Sequence, residues 1–81
     1  MNHEAYERRR RLMLQQGYIA LREICTKLGY TPGAGIGWVN SGTLSGIKMH
    51  NAYYVPVQQA MLHFGKERWV KFGLPLPLGA P

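Results

Sequence analysis

The chain contains no aspartate, a single cysteine and no long apolar run, and each absence excludes a class of protein. Its four acidic residues are all glutamates, so few residues could form a catalytic site with paired carboxylates. Cys25 alone excludes an internal disulfide and is expected to be a small core residue in a reducing compartment. No stretch approaches the ~20 apolar residues that cross a bilayer, and no apolar signal region opens the chain. We therefore expect a cytoplasmic protein, bacterial or phage-encoded.

The titratable side chains give little support to an enzyme. Ser41, His63 and Glu67 could form a hydrolytic set on paper, but nothing in their spacing favours it. The histidines and the cysteine lack the spacing of metal ligands. The glycines of the GAGIG segment, residues 33–37, lack the preceding strand that a dinucleotide-binding loop requires. We expect no enzymatic activity, no metal and no cofactor.

The charge balance points to a polyanionic partner. The chain has 81 residues, the length of one small domain. Its ten lysines and arginines against four glutamates give a formal net charge of +6. Such a balance favours nucleic acid or an anionic membrane surface. The densest charge is the run Arg8 to Arg11, which is consistent with a solvated helix face and equally with an arm that contacts phosphate or the minor groove.

A helix-turn-helix is predicted from residue 21 onward. The apolar residues of its first helix fall at i, i+3, i+4 and i+7: Leu21, Ile24, Cys25 and Leu28. Gly29 ends that helix, because glycine adopts the left-handed conformation at little cost. Thr31 and Pro32 begin the second helix, with threonine as the N-cap and proline in the first helical position. Trp38 is expected to pack against the first helix and not to stack on bases.

A β-hairpin and a closing helix are predicted to follow. Strands at 47–49 and 53–55 are joined by a three-residue loop in which Asn51 is a plausible left-handed residue. This register turns four apolar side chains toward the helices: Ile47, Met49, Tyr53 and Val55. It leaves Lys48 and Tyr54 on the outer face. Pro56 then opens the closing helix, whose apolar positions are Val57, Ala60, Met61 and Phe64.

Three segments, in this order, resemble the excisionase-like branch of the MerR superfamily of winged helix-turn-helix proteins. They are YIALREICTKLGYTP (18–32), WVNSGTLSGIK (38–48) and AYYVPVQQAMLHF (52–64). The resemblance implies a mainly α fold with a small β-hairpin. It implies that the second helix enters the major groove of DNA and that the hairpin, or wing, contacts the neighbouring backbone or minor groove. We divide the chain into a basic amino-terminal helix or arm (1–17), a winged helix-turn-helix domain (18–72) and a Pro-rich flexible tail (73–81). Trp69 and Phe72, just before the tail, are expected to dock on the core.

The candidate DNA-binding residues follow from the resemblance together with the basic run. They are Arg8, Arg9, Arg10, Arg11, Arg22, Lys27, Thr31, Gly33, Ala34, Gly37, Asn40, Lys48, His50 and Asn51. The second helix departs from the family, because glycine, alanine and isoleucine stand where polar or basic side chains usually reach base edges. Only Thr31 and Asn40 are polar there. We therefore expect weak direct readout, with a phosphate held by N–H groups at the helix start and selectivity from DNA shape and bending.

The leading functional prediction is an accessory factor of the excisionase type, also called a recombination directionality factor. Such proteins bind double-stranded DNA side by side, bend it and redirect a site-specific integrase without doing chemistry. The expected partners are DNA, further copies of the chain and an integrase, with no membrane. Alternatives are a stand-alone transcription regulator, a phage DNA-packaging recognition subunit and a protein-interaction adaptor that uses the Gly-rich helix surface.

Overall fold

The computed structural model describes residues 3–49 and 51–77, without the side chain of His3, so residues 1–2, His50 and residues 78–81 lie outside the described residues. Its elements are α1 (His3–Gln15), β1 (Tyr18–Ala20), α2 (Leu21–Leu28), α3 (Pro32–Asn40), β2 (Ile47–Met49), β3 (Ala52–Pro56), α4 (Val57–Phe64) and α5 (Lys66–Lys71). The described chain is mainly helical with one small antiparallel sheet, in the element order of a winged helix. The predicted fold class is confirmed.

The sheet has three strands in the order β1-β3-β2, so β3 is central. The sequence analysis predicted β2 and β3 but missed β1, which pairs Ile19 with Val55 and Ala20 with Tyr54. The Val57 amide donates to the Gly17 carbonyl at 2.8 Å and continues this pairing beyond the strand. The chain entering α2 is therefore held against the strand that leaves the wing.

The predicted wing register is wrong by one residue. Lys48 lies opposite Tyr53, and Met49 lies opposite Ala52, which leaves two residues between the strands instead of three. Lys48 and Tyr53 therefore share the face toward the main core, while Ile47 and Met49 lie on the other face, 42% and 37% exposed. The prediction failed because it assumed a sheet with one buried face, whereas β3 is covered on both.

Helix α1 covers the second face of the sheet. Met13 is buried against Ala20 and Tyr54, and these three residues form a second, smaller core cluster. Tyr54, which was expected to face outward, is fully buried there. The amino-terminal segment is thus a helix whose last turns pack on the sheet, and the alternative of a loose arm does not describe residues 3–15.

The main core lies between the sheet and the remaining helices. Its buried residues are Ile19, Leu21, Ile24, Cys25, Leu28, Leu44, Val55, Val57, Ala60, Met61, Trp69 and Leu74. The predicted apolar faces of α2 and α4 are confirmed, with Phe64 only partly buried. Gly29 ends α2 in the left-handed conformation, at φ 83°, and the Thr31 side chain accepts from the Ala34 amide at 3.2 Å, as predicted for an N-cap.

The first residues of the predicted flexible tail are packed. Leu74 is buried, and the Trp69 indole Nε1 donates to the Pro75 carbonyl at 2.6 Å. Gly73 makes the turn with a positive φ of 74°. Because Trp69 is fully buried, this bond satisfies the one polar atom that its side chain brings into the core. Phe72, the other residue expected to dock, is 44% exposed.

Gly35 allows α2 and α3 to approach closely. A Cβ at this position would lie 2.8 Å from the Cys25 sulfur and 3.0 Å from Cγ of Leu21. By contrast, a Cβ at Gly33 or Gly37 would meet nothing within 4 Å. Burial raises the pKa of the Cys25 thiol, which agrees with its expected role as a core residue.

We predict that alanine has opposite effects at the glycines of α3. Gly35→Ala should lower the free energy of unfolding by about 1 kcal/mol or more, because overpacking a core costs ~1–3 kcal/mol and exceeds the gain in helix propensity. Gly33→Ala and Gly37→Ala should each raise it by up to ~1 kcal/mol, since alanine favours the helix and meets no neighbour. Urea denaturation of the three variants measures these changes. Equal effects at Gly35 and Gly37 would contradict the close approach of α2 and α3.

Candidate nucleic-acid interface

The outer side of α3 is exposed, and two of its four residues are glycines. Gly33, Ile36, Gly37 and Asn40 recur at i, i+3, i+4 and i+7, and all four are exposed. The opposite side of the helix carries Gly35 and the partly buried Ala34, Trp38 and Val39. The helix-turn-helix therefore presents a face with no charge, which we call the α3 face.

An aromatic cluster holds α3 in this orientation. The Trp38 ring makes edge contacts with Tyr30 at 5.0 Å and with Phe64 at 5.1 Å between centroids. Tyr30 lies in the turn before α3, and Phe64 ends α4. Trp38 was expected to pack against the first helix; it packs within the domain, but its ring contacts are with the turn and with α4, and it is only partly buried. The α3 face is thus oriented by contacts on the far side of the helix.

The start of α3 offers little to a phosphate. Pro32 has no N–H. The Ala34 N–H already donates to two acceptors of Thr31, its carbonyl oxygen and its side-chain hydroxyl oxygen. Gly33 therefore carries the remaining unbonded N–H of the first helical turn. Of the backbone N–H groups that were expected to hold a phosphate at this helix start, the Gly33 N–H is therefore the one still available.

The connection from α3 to the wing, residues 41–46, is held against α3 and α4. The Leu44 amide donates to the Trp38 carbonyl at 3.1 Å, and a Cβ at Gly46 would lie 3.0 Å from Val39. The Ser45 amide donates to Gln59 Oε1 at 2.7 Å, which ties the same connection to α4. The hairpin is therefore held next to the carboxyl end of the α3 face.

Two of the predicted wing residues are exposed, and the third is outside the described residues. The Lys48 ammonium lies over the Tyr53 ring, with Nζ 5.7 Å from the centroid, and the residue stays exposed. Asn51 is exposed with a φ of 67°, as predicted for a left-handed loop residue. His50 is the residue that the structure does not describe. The wing thus presents one cation and one amide near its tip.

The predicted cations of α2 differ in their surroundings. Arg22 is exposed, whereas Lys27 Nζ donates to the Gly73 carbonyl at 3.2 Å and ties the end of α2 to the carboxyl-terminal segment. The sequence analysis missed Arg68, whose guanidinium lies 5.3 Å from the centroid of the Tyr30 ring. Nothing in the periodicity of α5 indicated this neighbour, because α5 and Tyr30 are far apart in sequence. Arg68 adds a cation beside the turn of the helix-turn-helix.

The run Arg8 to Arg11 does not form one uniform basic arm. Arg10 bonds to Glu23 at 2.8 Å and to Glu7 at 3.0 Å, and the bond to Glu7 is the first cause of its raised pKa. Arg8 and Arg11 are exposed and line one open side of α1, while Arg9 is partly buried. Arg10 would have to break two ion pairs to contact DNA.

The described residues show neither a metal cluster nor a membrane span. Within 3–49 and 51–77, no three side chains of His, Cys, Asp or Glu come together as a metal site would require. None of the helices there has the length and apolarity needed to cross a membrane. Comparisons of the chain with protein-family models, curated proteins and solved structures found no match. The resemblance to the MerR superfamily therefore stays an expectation from the three sequence segments.

We predict that the four arginines differ in their contribution to stability. Arg10→Gln should lower the free energy of unfolding by about 1 kcal/mol, because it removes two partly exposed ion pairs and leaves Glu23 without its cation. Arg8→Gln, in the same helix, should change it by less than ~0.5 kcal/mol. Thermal and urea denaturation measure both. Equal losses would show that the Arg10–Glu23 contact does not hold α1 to α2.

Proposed function

We propose that this protein is a duplex DNA-binding accessory factor and that the α3 face and the wing form its contact surface. The observation that carries the proposal is the exposed α3 face beside a wing that bears Lys48. A helix with glycine at two positions of its exposed face can bring its backbone close to a phosphate backbone or a groove wall at those positions. The wing would then contact the neighbouring backbone.

The distribution of acidic residues supports a polyanionic partner. Between Arg22 and Lys66 the only acidic residue is Glu23, and Arg10 neutralises it. α3 and the wing therefore carry no negative charge that would repel phosphate. Arg22, Lys27 and Lys48 supply positive charge, and neutralised phosphates release counterions on binding. A protein-interaction adaptor needs no such one-sided charge.

The side chains of the α3 face determine how this surface would recognise a DNA sequence. Gly33 and Gly37 have no donors or acceptors beyond the backbone, and Asn40 is the single amide there. One good bidentate pair supplies roughly 1–3 kcal/mol of discrimination between bases, so a single protomer has little to discriminate with. We propose that selectivity comes from DNA shape and bending and from several copies binding side by side.

In its finer form the proposal is an excisionase, or recombination directionality factor, that acts in the cytoplasm of a bacterium and redirects an integrase. A stand-alone transcription regulator of the same fold is the closest alternative. An adaptor that binds a protein through the α3 face is the alternative from another class. Binding to DNA separates the last from the first two, and cooperativity with bending separates the first from the second.

The α3 face is tested by a matched pair of substitutions. Ile36 on α3 and Leu62 on α4 are both exposed aliphatic residues, 42% and 68%, so Ile36→Glu and Leu62→Glu change the net charge equally. We expect Ile36→Glu to weaken binding to a labelled duplex by about tenfold or more at low salt, because it places a carboxylate against phosphate. Leu62→Glu should stay near the wild-type affinity.

Both variants should keep the wild-type melting temperature, since neither residue is buried. For the wild type, affinity should fall steeply with salt concentration, and Lys48→Ala should flatten that dependence. No binding of the wild type at low salt would remove the DNA proposal and leave the adaptor. Equal weakening by Ile36→Glu and Leu62→Glu would move the contact away from the α3 face.

We further predict cooperative occupancy on DNA fragments that carry several sites. Occupancy should be sigmoidal in protein concentration, and circularly permuted fragments should migrate as bent DNA, because the α3 face offers few contacts per protomer. Electrophoretic mobility shifts measure both properties. Tight binding to one short site, with sharp losses at individual base pairs, would instead indicate a regulator that reads bases directly.

A further inference from the structure

One side of α1 is exposed and carries both signs of charge in order. The residues that line it form a shallow, open groove along the helix: Glu4, Glu7, Arg8, Arg11, Leu12 and Gln15. The acidic pair lies toward the amino end and the basic pair toward the carboxyl end. Leu12, at the edge of the same side, is 53% exposed. We call this side the outer face of α1; the opposite side packs on the sheet through Met13.

This order of charges is complementary to itself when two copies meet in opposite directions. If a two-fold axis passes between residues 7 and 8, Glu4 of each copy faces Arg11 of the other, and Glu7 faces Arg8. Symmetry makes every contact occur twice, as in any isologous interface. A parallel arrangement in register would instead place like charges together. The pattern therefore selects one relative orientation.

Three of the four charged side chains of this face make no ion pair among the described residues: Glu4, Arg8 and Arg11. The fourth, Glu7, pairs with Arg10 at 3.0 Å and would have to share or exchange that partner in a contact between two copies. Duplex DNA fits the outer face of α1 less well, because Glu4 and Glu7 would repel phosphate where Arg8 and Arg11 attract it. A surface with an acidic half and a basic half is better matched by a second surface that presents the same two halves in reverse order.

We infer that the outer face of α1 binds the same face of a second copy of this chain in antiparallel orientation. Exposed ion pairs contribute little each, and a 13-residue helix offers less area than the ~1,200 Å² of a stable interface. The contact is therefore a transient one. If the proposed DNA binding holds, neighbouring copies on one duplex would reach a high effective concentration and this contact would become the source of cooperativity.

The test uses two charge reversals, E4K and R11E, and their mixture. Each variant alone places two like-charge contacts in the antiparallel pair, so self-association should weaken on the order of tenfold. In an equal mixture the two variants restore opposite charges at both contacts, so the mixed species should associate as the wild type does. Sedimentation equilibrium at low salt, without DNA, measures all three. E67K and K71E on α5 are the charge-matched controls and should associate as the wild type does.

Rescue in the mixture cannot arise from a folding defect, because both variants are present in it. Circular dichroism of each variant checks that α1 is retained. Wild-type association should also weaken as salt is raised, which tests the charge contacts without any substitution. The inference is overturned if the wild type does not self-associate, if association is insensitive to salt, or if the mixture stays as weak as its components. Loss of DNA binding by R11E with unchanged self-association would assign the face to DNA instead.

Discussion

The whole domain depends on a central strand that is buried on both faces. In β3, the consecutive residues Tyr54 and Val55 are both fully buried, one under α1 and the other in the main core. Burying Tyr54 leaves its hydroxyl without a hydrogen-bond partner among the described residues, a cost of roughly 1–3 kcal/mol that the apolar packing of the ring must offset. Met13 of α1 packs on Tyr54, and the ion pair from Arg10 to Glu23 joins α1 to α2. This ion pair therefore helps to keep α1 over the strand that carries the wing.

The features that the sequence predicted correctly are determined by residues close together in the chain. The apolar faces of α2 and α4 follow from helical spacing, which a short stretch specifies completely. Gly29 and the Thr31 cap depend on the conformation of one residue and on an acceptor three residues from its donor. The left-handed Asn51 belongs to the same class. None of these features depends on which distant element lies alongside.

The features that were missed depend on contacts between distant segments. β1 is only three residues long and becomes a strand because β3 lies beside it. The wing register was derived from the assumption that one face of the hairpin is exposed, and α1 removes that assumption by covering Tyr54. Leu74 was assigned to the flexible tail, but it is buried in the main core together with residues of α2 and β3, which are distant in sequence. For the candidate site, the resemblance placed Gly33, Gly37 and Asn40 on an exposed side of α3, but it also placed Ala34 there, which is partly buried on the inner side. The pairing of Arg10 and the position of Arg68 were missed.

The glycines of α3 separate what the fold requires from what a partner would require. Gly35 is explained within the chain, since α2 leaves no space for a side chain. Gly33 and Gly37 have ordinary helical backbone and open space, yet each costs the helix about 1 kcal/mol relative to alanine. The helix persists because Trp38 packs between Tyr30 and Phe64 on its other side. The contacts that stabilise α3 thus lie on its inner side. The stability of the isolated domain does not explain why glycine stands at positions 33 and 37 of the outer side.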